Sequence, residues 1–471
     1  MKRLASCLLL TFVLSTSSFA SGDWSQFLGS NRDGAVPNFK APDSWPKELN
    51  KAWSLEVGDG LASPAMVDGK LYVFTRADGN EVTYCLDAES GEEIWKDAGY
   101  ESPAIEGPAA YHVGPRSVPA VGDGKVVTLG LHGVLSCLDA ETGKVVWRKD
   151  SFTGEIPRFF TSSSPLIVEG LAILQVGQLA AYDLDSGDIV WSWANDGASY
   201  ASSAVLDLDG TAAVITPTLG NLVVLQATNG KVLYEMAFNQ GRQNTATPAV
   251  YGDTAYVAGP GRGMTAYKFV KSGDGYDTEQ LWQNPENSIG NSSPIYAGGH
   301  VFGISGSNAL FAINAASGDT VWTSQVGPEA APRGQGGPGG RGQGRPGQQS
   351  GGGERMRGPG GGDQAQAGGQ GGQRMRPQGG QQGGRGQGGP GGRGQGGART
   401  PSGFGSIVSV GSALIALTPA SELVVLEPGP DGAEELGRYK VSQSQTYAYP
   451  VVAGDTIYIK DQTSLTAYSV N

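Results

Sequence analysis

Residues 139–147 read Asp-Ala-Glu-Thr-Gly-Lys-Val-Val-Trp, and this phrase decides the fold because it recurs along the chain. Related phrases begin at Leu86, Tyr182, Leu225 and Ile313, and in each a Trp or Tyr follows the glycine by four residues. The period is close to 45 residues. A period of roughly 20–50 residues indicates a repeat architecture, in which each repeat is one supersecondary unit.

A second phrase, in half of the repeats Ser or Thr followed by Pro and an apolar residue, marks the start of each repeat. In the first repeat, short apolar segments at 65–67, 71–75, 82–86 and 93–96 are separated by turns that contain Asp, Ser and Gly. Glycine is suited to the left-handed backbone of tight hairpin turns. Eight units of four short strands predict an all-β chain that folds as an eight-bladed β-propeller. The eight starts lie at 63–65, 118–120, 164–166, 203–205, 247–249, 293–295, 406–408 and 449–451.

The eighth repeat ends after its third strand, because the chain stops at Asn471. The missing fourth strand is predicted at 51–57, where Trp53 takes the place of the repeat tryptophan. Pairing of the two ends would close the ring and remove a free sheet edge. We therefore expect a lead segment at 21–50, blades one to six and the closing strand at 51–326, and blades seven and eight at 403–471.

The first twenty residues have the order of a secretory signal peptide. Lys2 and Arg3 precede an apolar run at 4–14, and Ser18-Phe19-Ala20 offers a small-residue site for cleavage after Ala20. A lipobox that lipidates Cys7 is disfavoured because the apolar run follows Cys7 instead of preceding it. The sequence therefore predicts a periplasmic or secreted protein with no transmembrane segment in the mature chain, and we expect it to be a monomer.

Residues 327–402 form a low-complexity insert between blades six and seven. Between 331 and 400 there are 31 Gly, 13 Gln and 10 Arg, with Glu354 and Asp363 the only acids. The stretch carries +8, so the rest of the chain, whose total is −12, carries −20. Such a composition predicts disorder, and the acidic remainder disfavours nucleic-acid binding, which needs basic patches. An anionic surface or polymer, or the acidic body itself, is the expected contact of the insert.

Scarce arginines are predicted to gather on one face of the propeller. Outside the signal peptide and the insert there are eight arginines, and five fall in the b–c loops or in the d–a connections between blades, which share one face. Cations over one mouth of an acidic body would favour anionic partners. The alternative interpretation is that they pair with Asp78, Glu101, Asp196 or Asp461 and fix the loops. The candidate binding residues are Arg76, Arg116, His132, Arg158, Gln178, Arg242, Asn244, Arg262 and Lys460, with Gln243 beside them.

The sequence gives only weak signs of calcium binding and none of a disulfide. Asp183 with Asp185, and Asp207 with Asp209, resemble calcium loops faintly, but they fall on tight turns where Asp is a favoured residue. Cys85 occupies the same phrase as Cys137 in the next repeat, and a whole repeat width exceeds the roughly 7 Å Cα limit of a disulfide. We expect no metal site and interpret both cysteines as packing residues.

The recurring phrases resemble the quinoprotein-like, or PQQ-like, propeller repeat, most clearly at 139–147. The resemblance covers most of 51–471 apart from the insert, and residues 24–27 and 31–34 also look like the start of exported bacterial PQQ-like proteins. It implies one of two functions. Quinoprotein dehydrogenases bind PQQ with calcium and oxidise alcohols or sugars, whereas the other branch includes a periplasmic scaffold of the outer-membrane assembly machine that binds protein.

This chain departs from the dehydrogenase branch in having no adjacent cysteines and no clustered Glu, Asn and Asp set to which calcium ligands could be assigned. We therefore expect no cofactor and a non-catalytic scaffold that binds an envelope protein or an anionic polymer. A PQQ-dependent dehydrogenase is the alternative, and carbohydrate binding is a third possibility.

Overall fold

The computed structural model describes residues 22–36, 39–103, 105, 110–150, 152, 154–238, 244–259, 261–328 and 404–471. These residues form strands and turns and contain no helix, so none of their segments is a membrane-spanning helix. Eight sheets follow one another along the chain, which confirms the predicted eight-bladed β-propeller. The predicted signal peptide, most of the insert, Arg242 and Gln243 lie outside the described residues.

Each blade has four antiparallel strands, named a to d from the inside outward. Blade one comprises β3 (Ala65–Val67), β4 (Lys70–Ala77), β5 (Asn80–Asp87) and β6 (Glu93–Glu101), and blade two comprises β7 (Ala120–Gly122), β8 (Lys125–Leu129), β9 (Leu135–Asp139) and β10 (Val145–Lys149). Blade three comprises β11 (Leu166–Val168), β12 (Leu171–Val176), β13 (Gln178–Asp183) and β14 (Ile189–Trp193). Blade four comprises β15 (Ala204–Leu208), β16 (Thr211–Pro217), β17 (Asn221–Gln226) and β18 (Val232–Ala237). Blades five to seven are β19 (Ala249–Tyr251), β20 (Thr254–Gly259), β21 (Gly263–Ser272), β22 (Gly275–Asn284); β23 (Ile295–Ala297), β24 (His300–Ile304), β25 (Ala309–Asn314), β26 (Thr320–Gln325); and β27 (Ser406–Val410), β28 (Ala413–Leu417), β29 (Glu422–Pro428), β30 (Ala433–Lys440). Blade eight is β31 (Val451–Ala453), β32 (Thr456–Lys460), β33 (Ser464–Ser469) and β2 (Asn50–Glu56), and β1 (Ala35–Val36) adds a parallel strand to β27.

Strands b and c are apolar on both faces because neighbouring blades pack against each other. All six residues of β12 are buried, as are five of the six in β13. In β14 the pattern alternates between exposed and buried residues because this strand is the outer edge of its blade. Continuous apolar runs therefore mark the central strands and alternating patterns mark the edge.

The recurring phrase joins each blade to the next. The Trp95 indole donates to the carbonyl of Ala140 in the following blade at 3.1 Å, and Gly143 lies directly beneath the same ring. A Cβ on Gly143 would come within 2.5 Å of Trp95, so the glycine is required by close packing as well as by its φ of 70°. The Asp139 carboxylate holds the turn by accepting from Thr142 N at 2.8 Å. The strand-d tryptophans are therefore packing wedges between blades, as predicted.

The N-terminal strand closes the ring. β2 pairs antiparallel with β33, and Trp53 donates to Ala88 O at 3.1 Å, the same blade-to-blade bond that Trp95 makes. The Ser54 and Thr466 hydroxyls are 2.8 Å apart across this pairing. Blade eight thus combines three C-terminal strands with one N-terminal strand, as the sequence predicts.

Residues 22–36 fill the centre of the ring, and we call this segment the N-terminal plug. Trp24 exchanges main-chain hydrogen bonds with Met66, and the Arg32 guanidinium donates to Ser203 O at 2.6 Å and also to Ser164 and Pro165 carbonyls. The plug contacts the innermost strand, or the residues just before it, in seven blades through Met66, Val121, Ile167, Ser203, Ile295, Ser409 and Tyr449. Trp24, Leu28 and Arg32 are buried, so the plug is part of the core.

A belt of hydroxyl groups surrounds the channel where the innermost strands begin. In five successive steps, a main-chain N–H donates to a hydroxyl of a later blade at 2.9–3.0 Å. We call these acceptors the hydroxyl belt, formed by Ser164, Ser202, Thr247, Ser293 and Tyr449. The hydroxyl groups near the starts of these five repeats therefore join blades that have no strand pairing between them.

Candidate functional site

The propeller has two faces that differ in their connections. The a–b and c–d turns form the hairpin face, where the tight Asp-Gly and Thr-Gly turns lie. The b–c turns and the d–a connections between blades form the loop face, at which strand a of each blade begins. Longer connections on a rigid scaffold commonly carry function. All the predicted binding residues that the structure describes belong to segments of the loop face.

Lys460 and Asn244 are buried and bonded to the main chain. The Lys460 side chain is 1% exposed, and its ammonium group donates to the carbonyls of Gly58, Gly60, Asp461 and Gln462 at 2.8–3.2 Å. Asn244 is 2% exposed and donates to Thr218 O and Phe238 O. Both buried side chains therefore fix loops, and neither is exposed to a binding partner.

Arg76, Arg116 and His132 are half-buried beneath the loops. Arg76 donates to Ser102 O at 3.2 Å. Arg116 donates to Phe159 O and to His112 O, and the His132 ring packs edge-on against Phe160 at 4.9 Å. These side chains connect one loop to the next through carbonyl oxygens and ring contacts.

Gln178 is buried at the start of β13, where it follows the tight b–c turn. Arg158 and Arg262, by contrast, are exposed. The Arg158 guanidinium lies 5.5 Å from the centre of the Phe159 ring, a cation–π distance. These two arginines are therefore the predicted cations that the structure presents to solvent among the described residues.

Two of the four acids proposed as partners of these arginines, Asp196 and Asp461, bind neutral donors instead. Asp196 accepts from Thr218 Oγ1 and Asn221 Nδ2, and Asp461 accepts from Ser442 Oγ at 2.6 Å. In the described part of the chain the arginines with ion pairs are Arg148, with Asp97, and Arg438, with Glu422 and Glu435. The loops are thus held by hydrogen bonds to acids and carbonyls more than by arginine–carboxylate pairs.

Exposed apolar side chains are the feature of the loop face that sequence reasoning missed. Tyr111 is 82% exposed, Leu219 42%, Phe159 39% and Phe404 38%, and they come from four different connections. Behind them, the Tyr447 ring contacts Phe404 at 5.2 Å and His112 at 5.0 Å. We call Tyr111, Phe159, Leu219, Phe404 and Arg158 the loop-face patch. No periodic signal marks them in the sequence, because each lies in a connection of different length.

Burial changes the acid–base properties of several loop-face groups. It lowers the pKa of His112, which the Asp59 carboxylate only partly offsets, and this keeps the imidazole neutral near pH 7. Burial also lowers the pKa of Arg116, and it lowers that of Lys460 to about 8. All three shifts have burial beneath the loops as their main cause.

A calcium-dependent quinone site needs a cluster of ligands around the metal ion. In the described ranges no group of three or more His, Cys, Asp or Glu side chains could hold a metal ion. Asp183 instead accepts hydrogen bonds from Asp185 N and Ser186 N of its own turn. Cys85 and Cys137 are free and buried, which raises the pKa of their thiols to about 11 and about 12. The plug also occupies the channel, so neither the donors nor the space for such a group is evident there.

Two kinds of curated relative resemble the chain. The quinohemoprotein alcohol dehydrogenase of Comamonas testosteroni is 32% identical over 162 residues, which cover 31% of this chain and 22% of the relative. The 1-butanol dehydrogenase (cytochrome c) of Thauera butanivorans is 35% identical over 176 residues, 36% of this chain and 25% of the relative. The outer membrane protein assembly factor BamB of Shewanella oneidensis is 25% identical over 229 residues, 44% of this chain and 55% of the relative. The chain thus spans about a quarter of the length of the matched dehydrogenases.

Solved structures support the fold. BamB from Moraxella catarrhalis superposes with a TM-score of 0.57 at 14% identity, over 89% of this chain and 97% of that one. The Comamonas dehydrogenase gives 0.60 at 15% identity, over 96% and 81%. A family model described as outer membrane protein assembly factor BamB matches residues 79–324, just over half of the chain. The protein therefore belongs to this family of PQQ-like repeat propellers.

Proposed function

We propose that this protein is an exported scaffold of the cell envelope that binds a protein partner through the loop-face patch. The observation that carries the proposal is the patch itself, in which four exposed apolar side chains lie on the same face as the exposed Arg158 and Arg262. Aromatic and arginine side chains are enriched in the centres of protein–protein interfaces. Exposed Tyr111 and Phe159 supply area, and Arg158 supplies charge.

The relatives support the same direction. The family description and the Shewanella and Moraxella proteins name an assembly factor of the outer membrane, a role performed by binding protein. The signal peptide predicted at 1–20 would deliver the chain to that compartment. Arg158 favours a partner that carries local negative charge where it meets this side chain.

Site-specific photo-crosslinking in the native envelope tests the proposal. A photoreactive residue replaces Tyr111 on the loop face in one variant and Tyr251, which is 60% exposed on the hairpin face, in a matched control. We expect a discrete protein adduct from position 111 that is absent from position 251. Arg158→Glu should weaken the adduct at position 111. Equal adducts from both positions, or none from position 111, would contradict a loop-face partner.

Binding of an anionic polymer is a separate outcome of the same design. It would appear as retention on a polyanion matrix that salt reverses and that the double substitution Arg158→Ala with Arg262→Ala abolishes, because exposed charges are screened by salt. Retention of that kind without a protein adduct would replace the protein partner in the proposal.

A PQQ-dependent dehydrogenase is the second candidate, favoured by 30–35% identity to several such enzymes over about a third of the chain. Its test is incubation with PQQ and calcium chloride followed by alcohol-dependent reduction of a dye. Because the described residues offer no calcium ligand cluster and the plug fills the channel, we expect no dye reduction. Substrate-dependent reduction that EDTA abolishes would overturn the scaffold proposal.

A further inference from the structure

Three tyrosines from blades five and six stack on the hairpin face, far from the loop-face patch. The rings of Tyr251 and Tyr296 are 4.1 Å apart and within 19° of parallel, and Tyr256 stacks on Tyr296 at 5.8 Å. Tyr256 is buried, whereas Tyr251 is 60% exposed. An exposed ring stacked on the half-buried Tyr296, which itself stacks on the buried Tyr256, is a preformed platform, since its orientation is fixed before any ligand arrives.

The platform borders a cleft of about 330 Å³ between blades five to seven and the end of the N-terminal plug. The cleft is lined by Tyr251 and Tyr296 on one side and by Asp33, Val36 and Ser409 on the other. Its size is at the lower end of the roughly 300–1,000 Å³ typical of small-molecule sites. The combination of an aromatic wall with few polar groups is also typical of such sites.

Asp33 supplies the acceptor in this cleft. Its Oδ1 accepts a hydrogen bond from Ala35 N at 2.9 Å, and Asn31 also donates to the carboxyl group. A carboxylate has about four acceptor positions, so it can still accept from a ligand hydroxyl. Burial raises the pKa of Asp33, which weakens the carboxyl group as a site for a bare cation. A body of strongly negative net charge also disfavours phosphate and other anions here.

We propose that this cleft binds a hexopyranose unit of a neutral saccharide, with the C–H groups of the sugar on the tyrosine wall and its hydroxyls donating to Asp33. A pyranose ring presents polarised C–H groups on one face and hydroxyls around its edge. The electron-rich face of an aromatic ring attracts the C–H groups, and a carboxylate accepts hydrogen bonds from the hydroxyls. The site is distinct from the loop-face patch, and its proposal does not depend on the protein-binding proposal.

The experiment is isothermal titration of the full chain with maltohexaose, cellohexaose and chitohexaose at 25 °C. We expect at least one of these oligosaccharides to bind with a Kd in the range of about 0.1–5 mM, as suits a single small contact. Tyr251→Ala should raise that Kd about tenfold, equivalent to about 1.4 kcal/mol. Tyr251→Trp keeps an aromatic platform and should retain binding, which separates loss of the platform from loss of the fold.

Two further variants define the polar side and the face. Asp33→Asn retains an acceptor for Ala35 N but removes the charge, and it should raise the Kd by about threefold or more. Tyr111→Ala removes the 82% exposed tyrosine of the opposite face and should leave saccharide binding unchanged. The proposal is overturned if none of the three saccharides binds at about 10 mM, if Tyr251→Ala binds like the parent, or if Tyr111→Ala weakens binding as much as Tyr251→Ala.

Discussion

The two mouths of the propeller channel satisfy their polar groups in different ways. At the hairpin face the plug runs through the ring, and main-chain bonds such as those of Trp24 with Met66 join it to the innermost strands. At the loop face the connections are held by individual side chains, of which Lys460 with four carbonyls is the strongest example. Regular pairing leaves few side chains free at the first mouth. Because side chains anchor the connections at the loop face, the exposed residues there can differ without any change in the strands of the ring.

The largest loss of stability is expected from removing both the N-terminal plug and the closing strand β2. Deletion of residues 21–58 leaves β33 without its partner β2 and empties the core of Trp24, Leu28 and Arg32. The loss exceeds the total stability of about 5–15 kcal/mol that a typical domain has. Cooperative thermal unfolding, followed by circular dichroism and calorimetry, should disappear. A truncated protein that melts as sharply and at the same temperature as the parent would show that neither segment closes the ring.

Lys460→Met tests how much a single buried side chain of the loop face contributes to the free energy of unfolding. The substitution keeps the apolar stem but removes the donor to the Gly58, Gly60 and Asp461 carbonyls, whereas Gln462 O still accepts from Gly60 N. Each unsatisfied buried polar group costs about 1–3 kcal/mol, and partial relaxation should reduce the total to about 3–5 kcal/mol. Urea unfolding measures it. The matched control is Lys440→Met, whose exposed amine donates to a single carbonyl, that of Ala420, and which should lose less than about 1 kcal/mol.

Removing one hydrogen bond of the hydroxyl belt should lower the free energy of unfolding by an intermediate amount. Thr247→Val preserves shape but removes the acceptor of Ser202 N, which then stays buried without a partner. We expect a loss of about 1–2 kcal/mol in the free energy of unfolding. Ser63→Ala is the control, because the buried Ser63 hydroxyl at the equivalent start of blade one has no partner among the described residues. If both variants lose the same free energy, the belt bonds do not stabilise the ring.

A smaller effect concerns pH at the loop face. Burial lowers the pKa of His112 below its ordinary value of 6.5, so below that pH the unfolded chain takes up a proton that the folded chain resists. The free energy of unfolding should therefore fall as pH drops from 7 towards 5. His112→Phe keeps the ring contact with Tyr447 and should flatten that slope in urea titrations at each pH. A slope that is unchanged in His112→Phe would contradict this assignment.

The smallest effects are expected where the loop face is most exposed. Tyr111→Ala and Arg158→Ala should each change the free energy of unfolding by less than about 0.5 kcal/mol, as exposed substitutions usually do. Excision of residues 329–401 should also leave the melting temperature nearly unchanged, because loop closure entropy grows only with the logarithm of length. A melting temperature lowered by either surface substitution would remove the distinction between the two mouths. Unfolding on excision would show that the insert is structural.

Sequence reasoning succeeded where physical demand repeats with every blade. Gly143, Trp147 and Trp53 could be assigned because each blade needs the same turn and the same wedge against its neighbour. It failed where a contact joins segments far apart in the chain. Arg32 looked like part of an opening motif, and nothing in the sequence placed it against Ser164 and Ser203.

The candidate site was only partly accessible from sequence. Counting scarce arginines identified the loop face but not which of its cations are exposed, since that depends on the carbonyls that surrounding loops present. Lys460 and Asn244 were therefore grouped with Arg158, although they are buried and it is exposed. Tyr111 and Tyr251 had no pattern to mark them, because single aromatic residues in loops or at strand ends leave no period.

The pairing of β2 with β33 sets the order of events in folding. Ser54 and Thr466, which meet in that pairing, are 412 residues apart in the chain. A chain synthesised from its N-terminus holds the plug and β2 ready long before their last partners are made. The intermediate has blades but no closed ring, and it presents an unpaired strand edge, the feature that makes folding intermediates prone to aggregation. Contacts of such long range also slow folding. We therefore expect the pairing of the two ends to be the last step of folding, and the open ring before it to be the state most prone to aggregation.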